Sequence, residues 1–307
     1  MQYQKKPYLI QQIIKKFLFI CFIVLNYFVF AQNPSFADTK IDSIVYVSSD
    51  KTKIPYAQVF FEGKNYYKNT DKKGRLKLKK DEKITKITAI GYEDFISDSS
   101  NHNEYALKAK TRPEKTSLTP KNKVQIAVGK LDRNHKSYTN GYIGGYHENV
   151  YLSYKDSYPA NAFIKSIAFL SSIPEGNGSK PIFLKLYKNE NGKRGKIIDS
   201  AEFLVSCKPG KSYNKIDLSK SKVLFPKEGL FIGFEWINIP ANFGMFQTKI
   251  SKDDKKINRK VSFLEPGIGH EIVERDTQKS LNSDISKDKK IINDEYYKIA
   301  LEVIISD

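Results

Sequence analysis

The segment His270-Glu271-Ile272-Val273-Glu274 begins like the helix of a zinc peptidase, where two imidazoles four residues apart share one face and hold the metal. The second imidazole is missing, because Glu274 stands in its place. The remaining histidines, His102, His135 and His147, are scattered, so exposed loop histidines are expected, with no metal and no cofactor. Asp253-Asp254 is flanked by Lys252, Lys255 and Lys256 and lacks the alternating oxygen ligands of a calcium loop. Gly141-Tyr142-Ile143-Gly144-Gly145 is too short for a phosphate loop and has no helix after it. Glu265-Pro266-Gly267-Ile268-Gly269 reads as a turn. No Gly-x-Ser-x-Gly elbow supports a serine hydrolase. Cys207 has no neighbouring histidine or helix start to lower its pKa, so it reads as a half-buried thiol on a strand.

Two other features could carry function. Glu235, in Gly233-Phe234-Glu235-Trp236, is an acid flanked by aromatics in a strongly apolar strand. Facing inward, its pKa would rise. The period of two instead sends Glu235 outward and turns Phe234 and Trp236 to the core. Tyrosines crowd the stretch 138–158, at Tyr138, Tyr142, Tyr146, Tyr151, Tyr154 and Tyr158. Exposed tyrosines stack on sugar rings or anchor protein partners, and otherwise pack strand edges. Tyr142, Tyr146 and Tyr151 lie near Gly141, Gly144 and Gly145, which shield no ring. With the lone indole, Trp236, they form the expected binding set.

The elements that position these residues follow from composition and pattern. The 307 residues carry 52 Lys+Arg against 34 Asp+Glu, a net +18. Only six of the basic residues are arginine, the side chain that grips phosphate and guanine in a bidentate fork. The charge is also dispersed, with 14 basic and 10 acidic groups across 41–110. A nucleic-acid partner is therefore not expected.

Lys5, Lys6, Lys15 and Lys16 precede an apolar run over 17–30, closed by the small residue Ala31. That is the layout of a secretory signal peptide, residues 1–31, with a mature chain starting at Gln32. The run is interrupted by Asn26 and falls short of the ~20 residues that cross a bilayer, so no membrane span is expected after cleavage. Cleavage leaves Cys207 alone, and the fold must then hold by core burial without an intramolecular disulfide.

Beyond residue 40 the pattern is short alternating strands, at 41–48, 57–62, 65–70, 75–79, 84–90, 93–97 and 104–108. Seven strands in seventy residues predict a small antiparallel sandwich over 41–110. Residues 111–122, with Pro113 and Pro120, read as a linker. Strands at 124–129, 150–154, 163–171, 182–188, 201–206, 213–218, 230–236, 245–250, 260–264 and 296–305 predict a larger jelly-roll-like sandwich over 123–307. The charge-rich stretches 252–260 and 274–294 read as loops.

Pro55, Ala57 and Val59, then Thr70-Asp71 with Gly74, Leu76 and Leu78, then Ile90-Gly91-Tyr92, follow one order. It resembles the carboxypeptidase-regulatory-like, transthyretin-like domain of Bacteroidota envelope proteins. The resemblance covers 41–110 and implies a prealbumin-like seven-stranded sandwich serving as an accessory module. Leu184 to Tyr187, Asp217-Leu218-Ser219 and Gly229 to Trp236 are similar to the C-terminal region of other exported Bacteroidota proteins. The expectation is a non-enzymatic exported protein of the periplasm, outer membrane or cell surface, which binds or scaffolds an envelope protein or glycan. The alternative is a hydrolase of envelope glycan or peptide, revived by any cleft holding two inward carboxylates.

Overall fold

The computed structural model describes residues 41–97, 102–111, 121, 123–132, 137–142, 147–252, 255–273, 290–292 and 295–307. The proposed signal segment, Tyr146, most of the expected linker and most of the expected loop 274–294 lie outside them. The fold is all-β, with one 3-10 turn at Pro240–Asn242 and no α-helix among the described residues. Asp42–Asp307 form one compact unit holding two lobes.

The first lobe stacks two four-stranded sheets. One has β1 (Ile41–Ser49) between β2 (Thr52–Lys53) and β5 (Arg75–Lys79), with β8 (Glu104–Ala106) also on β1. The other runs β4 (Tyr67–Asn69), β3 (Gln58–Phe61), β6 (Ile84–Thr88), β7 (Phe95–Ile96). Alternation sets which side chains go in: Leu76 and Leu78 of β5 are buried between exposed Arg75 and Lys77. They join Val45, Val47, Val59, Ile84, Ile87 and Tyr105 in one core. Gly74 is required by the turn before β5, having φ +70° and a Cβ position 2.8 Å from the Val47 carbonyl. One pairing departs from the antiparallel expectation. β8 lies parallel to β1, Tyr46 opposite Glu104, because the chain leaves β7 in one sheet and crosses to the other before pairing.

The second lobe opposes a four-stranded and a nine-stranded sheet. The smaller runs β11 (His147–Leu152), β16 (Leu230–Trp236), β13 (Lys180–Glu190), β14 (Lys193–Cys207). The larger includes β9 (Gln125–Val128), β10 (Ser137–Gly141), β12 (Phe163–Ile173), β15 (Gly210–Asp217), β17 (Phe243–Lys252) and β18 (Lys255–Val273). It is completed by β19 (Lys290–Ile292), β20 (Glu295–Ile299) and β21 (Leu301–Ser306). Ile182, Leu184 and Leu186 of β13 and Ile232, Phe234 and Trp236 of β16 fill the space between the sheets. Phe169 of β12 meets Phe234 edge-on at 4.8 Å.

Two expected loops are strands. Residues 255–260 belong to β18, with Ser251 opposite Lys256 and Lys252 opposite Lys255. Their charge conceals a period of two in which Ile257 and Val261 recur. The expected turn at Glu265-Pro266-Gly267 is also inside β18, with a cis Glu265-Pro266 bond. Pro266 is tolerated because it falls between the last pair with β17, at Leu264, and the first with β12, at Gly267, where no ladder partner needs its missing N–H.

Candidate functional site

A group of polar side chains forms where the lobes meet. Along β13, Ile182, Leu184 and Leu186 face the second-lobe core, so Phe183, Lys185 and Tyr187 face away from it. The same alternation on β16 puts Glu235 on that outer face. The first lobe covers it: Phe183, Ile237 and Ile239 pack with Tyr56 and Ile90. A polar seam runs alongside. The Asn238 amide donates to Asn69 Oδ1 at 2.8 Å, Asn238 Nδ2 to the Tyr67 carbonyl at 2.8 Å, and the Asn69 amide to the Asn238 carbonyl at 3.2 Å.

Glu235 is therefore outward from its own sandwich yet largely enclosed. Its Oε2 accepts from Lys185 Nζ at 2.7 Å and from Gln58 Nε2 at 3.2 Å, and its Oε1 from the Tyr187 hydroxyl at 2.5 Å. Burial would raise the carboxyl, but the Lys185 charge and the hydrogen bonds from Lys185 and Tyr187 outweigh it and hold the pKa below 4.5. Burial and the Glu235 charge push the Tyr187 and Tyr67 hydroxyls up. Glu235 is an ionised anchor with its oxygens already taken, an arrangement suited to holding two lobes together.

The other buried charged groups are engaged in the same manner. Lys180 pairs with Glu265 at 3.2 Å and also donates to the Ala241 carbonyl, while Asn177 Nδ2 donates to both Glu265 oxygens. His270 is a buried strand residue rather than an exposed loop histidine. Its Nε2 lies 2.9 Å from Glu148 Oε2 and its Nδ1 2.8 Å from the Ile268 carbonyl, so it pins β18 to β11 of the opposite sheet. In the first lobe, fully buried Glu82 pairs with Lys68 at 2.6 Å. Among the described residues, no group of three His, Cys, Asp or Glu side chains could hold a metal. Cys207 is fully buried and its thiol is pushed up to about 12 by burial.

The expected binding set is not gathered in one place. Tyr142 is 55 % exposed at the end of β10. Tyr146 lies outside the described residues. Tyr151 is half-buried on the outer face of β11, its ring 5.1 Å from Phe231 and its hydroxyl donating to the Glu228 carbonyl. Trp236 is a core residue and presents no ring to a partner: it is fully buried on the inner face of β16, with Nε1 donating to the Pro266 carbonyl. Gly141 serves that indole, since a Cβ there would stand 2.5 Å from Trp236 Cγ. Tyr158 packs in the core against Tyr154 and Phe225. Sequence reasoning missed Lys185, Tyr187, Gln58, Asn69 and Asn238. A lysine inside the apolar run 182–186 was the available signal.

No family model matches the chain. No curated protein is significantly similar to it. Among solved structures, the crystal structure of the cysteine protease and lectin-like domains of Cwp84, a surface layer associated protein of Clostridium difficile, is matched at 11 % identity with a TM-score of 0.33. The match covers 78 % of this chain and 45 % of that one, so this chain spans less than half its length.

Proposed function

We propose that this is an exported cell-envelope protein that binds or scaffolds an envelope protein or glycan and is not an enzyme. The observation that carries the reading is how its buried charges are used. Among the described residues, Glu82, Lys180, Lys185 and Glu265 are buried charged side chains, each with an ion-pair partner, and buried His270 lies 2.9 Å from Glu148 Oε2, contacts that tie strands or sheets together. A general acid or nucleophile needs an unsatisfied position facing substrate, whereas these groups are saturated by the fold. The lysine-led, apolar, small-residue order of 1–31 and the resemblance of 41–110 to envelope accessory domains support the location.

Cell fractionation with N-terminal mass spectrometry of the native protein should find it in the envelope fraction beginning at Gln32. An intact 15–30 stretch would reject export by cleavage. Purified protein incubated with isolated envelope glycan should be retained on it, or on an envelope protein, without releasing fragments. Sustained product release that disappears in Glu235→Gln would replace this reading with a hydrolase.

A further inference from the structure

The outer face of the larger sheet carries two tyrosines outside the expected binding set. Along β15, Ser212 and Asn214 turn inward to buried Ser171, so Lys211, Tyr213 and Lys215 share the outer face. Their partners on β12 are Ser172, Leu170 and Ala168. Ser172 also lies opposite Gly267 of β18, and Gly269, two residues further along, lies opposite Tyr138 of β10. Ile268 and His270 are buried, which leaves Gly267, Gly269 and Tyr138 on the outer face. Two contacts across β12 bring these side chains together. Lys211 Nζ stands 5.8 Å from the centroid of the Tyr138 ring, and the Tyr213 hydroxyl donates to Glu302 Oε1 of β21 at 3.4 Å. The ground between the tyrosines is low, with two glycines and with Leu170, which is 4 % exposed although it points away from the core. Neighbouring side chains therefore lie over Leu170. Gly267 is needed beneath them, because a Cβ there would come 3.0 Å from Asn140 Oδ1 and 3.2 Å from Tyr138 Cβ. Tyr213 remains 38 % exposed.

On the footing of the glycan-binding function proposed above, we propose that this face binds an acidic polysaccharide chain. Its pyranose rings lie on Tyr213 and Tyr138, and its carboxylates meet Lys211 and Lys215. Tyrosine rings carried on a sheet give a sugar's C–H face an apolar surface at small entropic cost, since each ring orders only two torsions. The groups around them suit hydroxyls, because Asn140 and Ser172 both donate and accept and Glu302 accepts. Lys211 and Lys215 flank Tyr213 on one strand, while the Glu302 carboxylate across β12 is engaged by the Tyr213 hydroxyl. The row of rings thus has a cationic border complementary to uronate carboxylates. Strands lie about 4.8 Å apart, so the steps from β15 through β12 and β18 to β10 set the two tyrosines about 14 Å apart at the backbone, a span for an extended chain and not for one sugar. A single-stranded nucleic acid could stack on the same rings, but the cations beside them are lysines, not the arginines that grip phosphate in a fork.

The test measures binding of the full chain to immobilised polygalacturonate, with neutral pullulan as the comparison, at about 0.15 M salt, where diffuse attraction between a basic protein and a polyanion is screened. The parent should bind polygalacturonate and not pullulan. Tyr213→Ala removes a ring and no charge, and should weaken binding by roughly ten-fold or more. Tyr213→Phe keeps the ring and should bind like the parent. Lys211→Ala should also weaken binding, whereas Lys77→Ala, at an exposed lysine of β5 in the first lobe, should not. Melting temperatures should stay at the parent value. If Tyr213→Ala unfolds the chain, Lys211→Ala against Lys77→Ala makes the same comparison. No binding of polygalacturonate by the parent, full binding by Tyr213→Ala, or equal losses in Lys211→Ala and Lys77→Ala overturns the proposal. Isolated envelope glycan separates the two levels of failure. Equal retention of the parent and Tyr213→Ala on it leaves the glycan-binding function standing and removes this face as its site, whereas a parent that is not retained fails that function and the proposal with it. An oligothymidylate bound more tightly than polygalacturonate, and lost in Tyr213→Ala, also overturns the proposal and assigns the face to single-stranded nucleic acid.

Discussion

Lys185 Nζ stands 2.7 Å from Glu235 Oε2, on a sheet face that the first lobe covers, and Gln58 of that lobe completes the contact. Both residues sit within apolar strands of the second lobe, so the pair exists only because the first lobe converts an outer face into an interior one. Breaking a buried pair by removing one partner leaves the other charge uncompensated, a larger loss than the net worth of the pair.

Glu235→Gln should therefore destabilise the protein by about 3 kcal/mol at neutral pH. The lower end of the usual range applies because Glu202 remains 3.6 Å from Lys185. The pH dependence has a definite sign. With its folded pKa held below 4.5, Glu235 contributes stability above that value and loses it as the pH falls through the folded pKa. Melting temperatures followed from neutral pH into acid should fall less steeply in Glu235→Gln than in the parent. Parallel curves would remove Glu235 from the acid response.

Asn69 and Asn238 exchange two hydrogen bonds along the seam, Asn238 amide to Asn69 Oδ1 and Asn69 amide to the Asn238 carbonyl. Asn69→Ala leaves the buried Asn238 amide without that acceptor and should cost about 1 to 3 kcal/mol in denaturant unfolding. Asn238→Ala removes a separate bond, from its Nδ2 to the Tyr67 carbonyl, and should cost a similar amount. A loss below about 0.5 kcal/mol in either variant would mean that the seam does not bear on stability.

Trp236 and Tyr142 separate core from surface. Trp236→Ala should cost about 3 to 5 kcal/mol, whereas Tyr142→Ala should shift stability by less than about 0.5 kcal/mol. Gly141→Ala should also destabilise, by about 1 to 3 kcal/mol, because its methyl would enter the indole. Combining Gly141→Ala with Trp236→Leu should cost less than the two separately. Calorimetry reads all four, and a tolerated Trp236→Ala would contradict the burial.

Cys207 should resist thiol reagents in the folded protein, because its thiol is fully buried and its pKa is pushed up to about 12. Labelling should follow the rate of unfolding in denaturant. Fast labelling under native conditions would mean that β14 opens locally.

What the sequence made readable was local period. Arg75 to Lys79 and Leu230 to Trp236 alternate cleanly, and their faces follow directly. Where charge overlies the alternation, as at 255–260, or small polar residues fill the strand, as in Ser137–Gly141, period was obscured. The orientation of Glu235 relative to its neighbours was readable, but its enclosure was not. Enclosure depends on residues 177 positions away, at Gln58, and no strand pattern records which face a distant lobe will cover. Trp236 shows the same limit from the other side. Its rarity suggested a contact, while its alternation with Phe234 already placed it in the core.

β21 lies between β12 and β9, with Val303 opposite both Ile167 and Val128, and Ile305 opposite both Ile164 and Ile126. The strand that joins these parts of the larger sheet pairs with β12 across a loop of about 140 residues. Until that loop closes, Ile164 and Ile167 stand at an incomplete edge. Folding of the second lobe is therefore slow for its size, as non-local pairing dictates. During that interval the unfinished sheet is at its most vulnerable to aggregation, and a holding factor would have the most to protect.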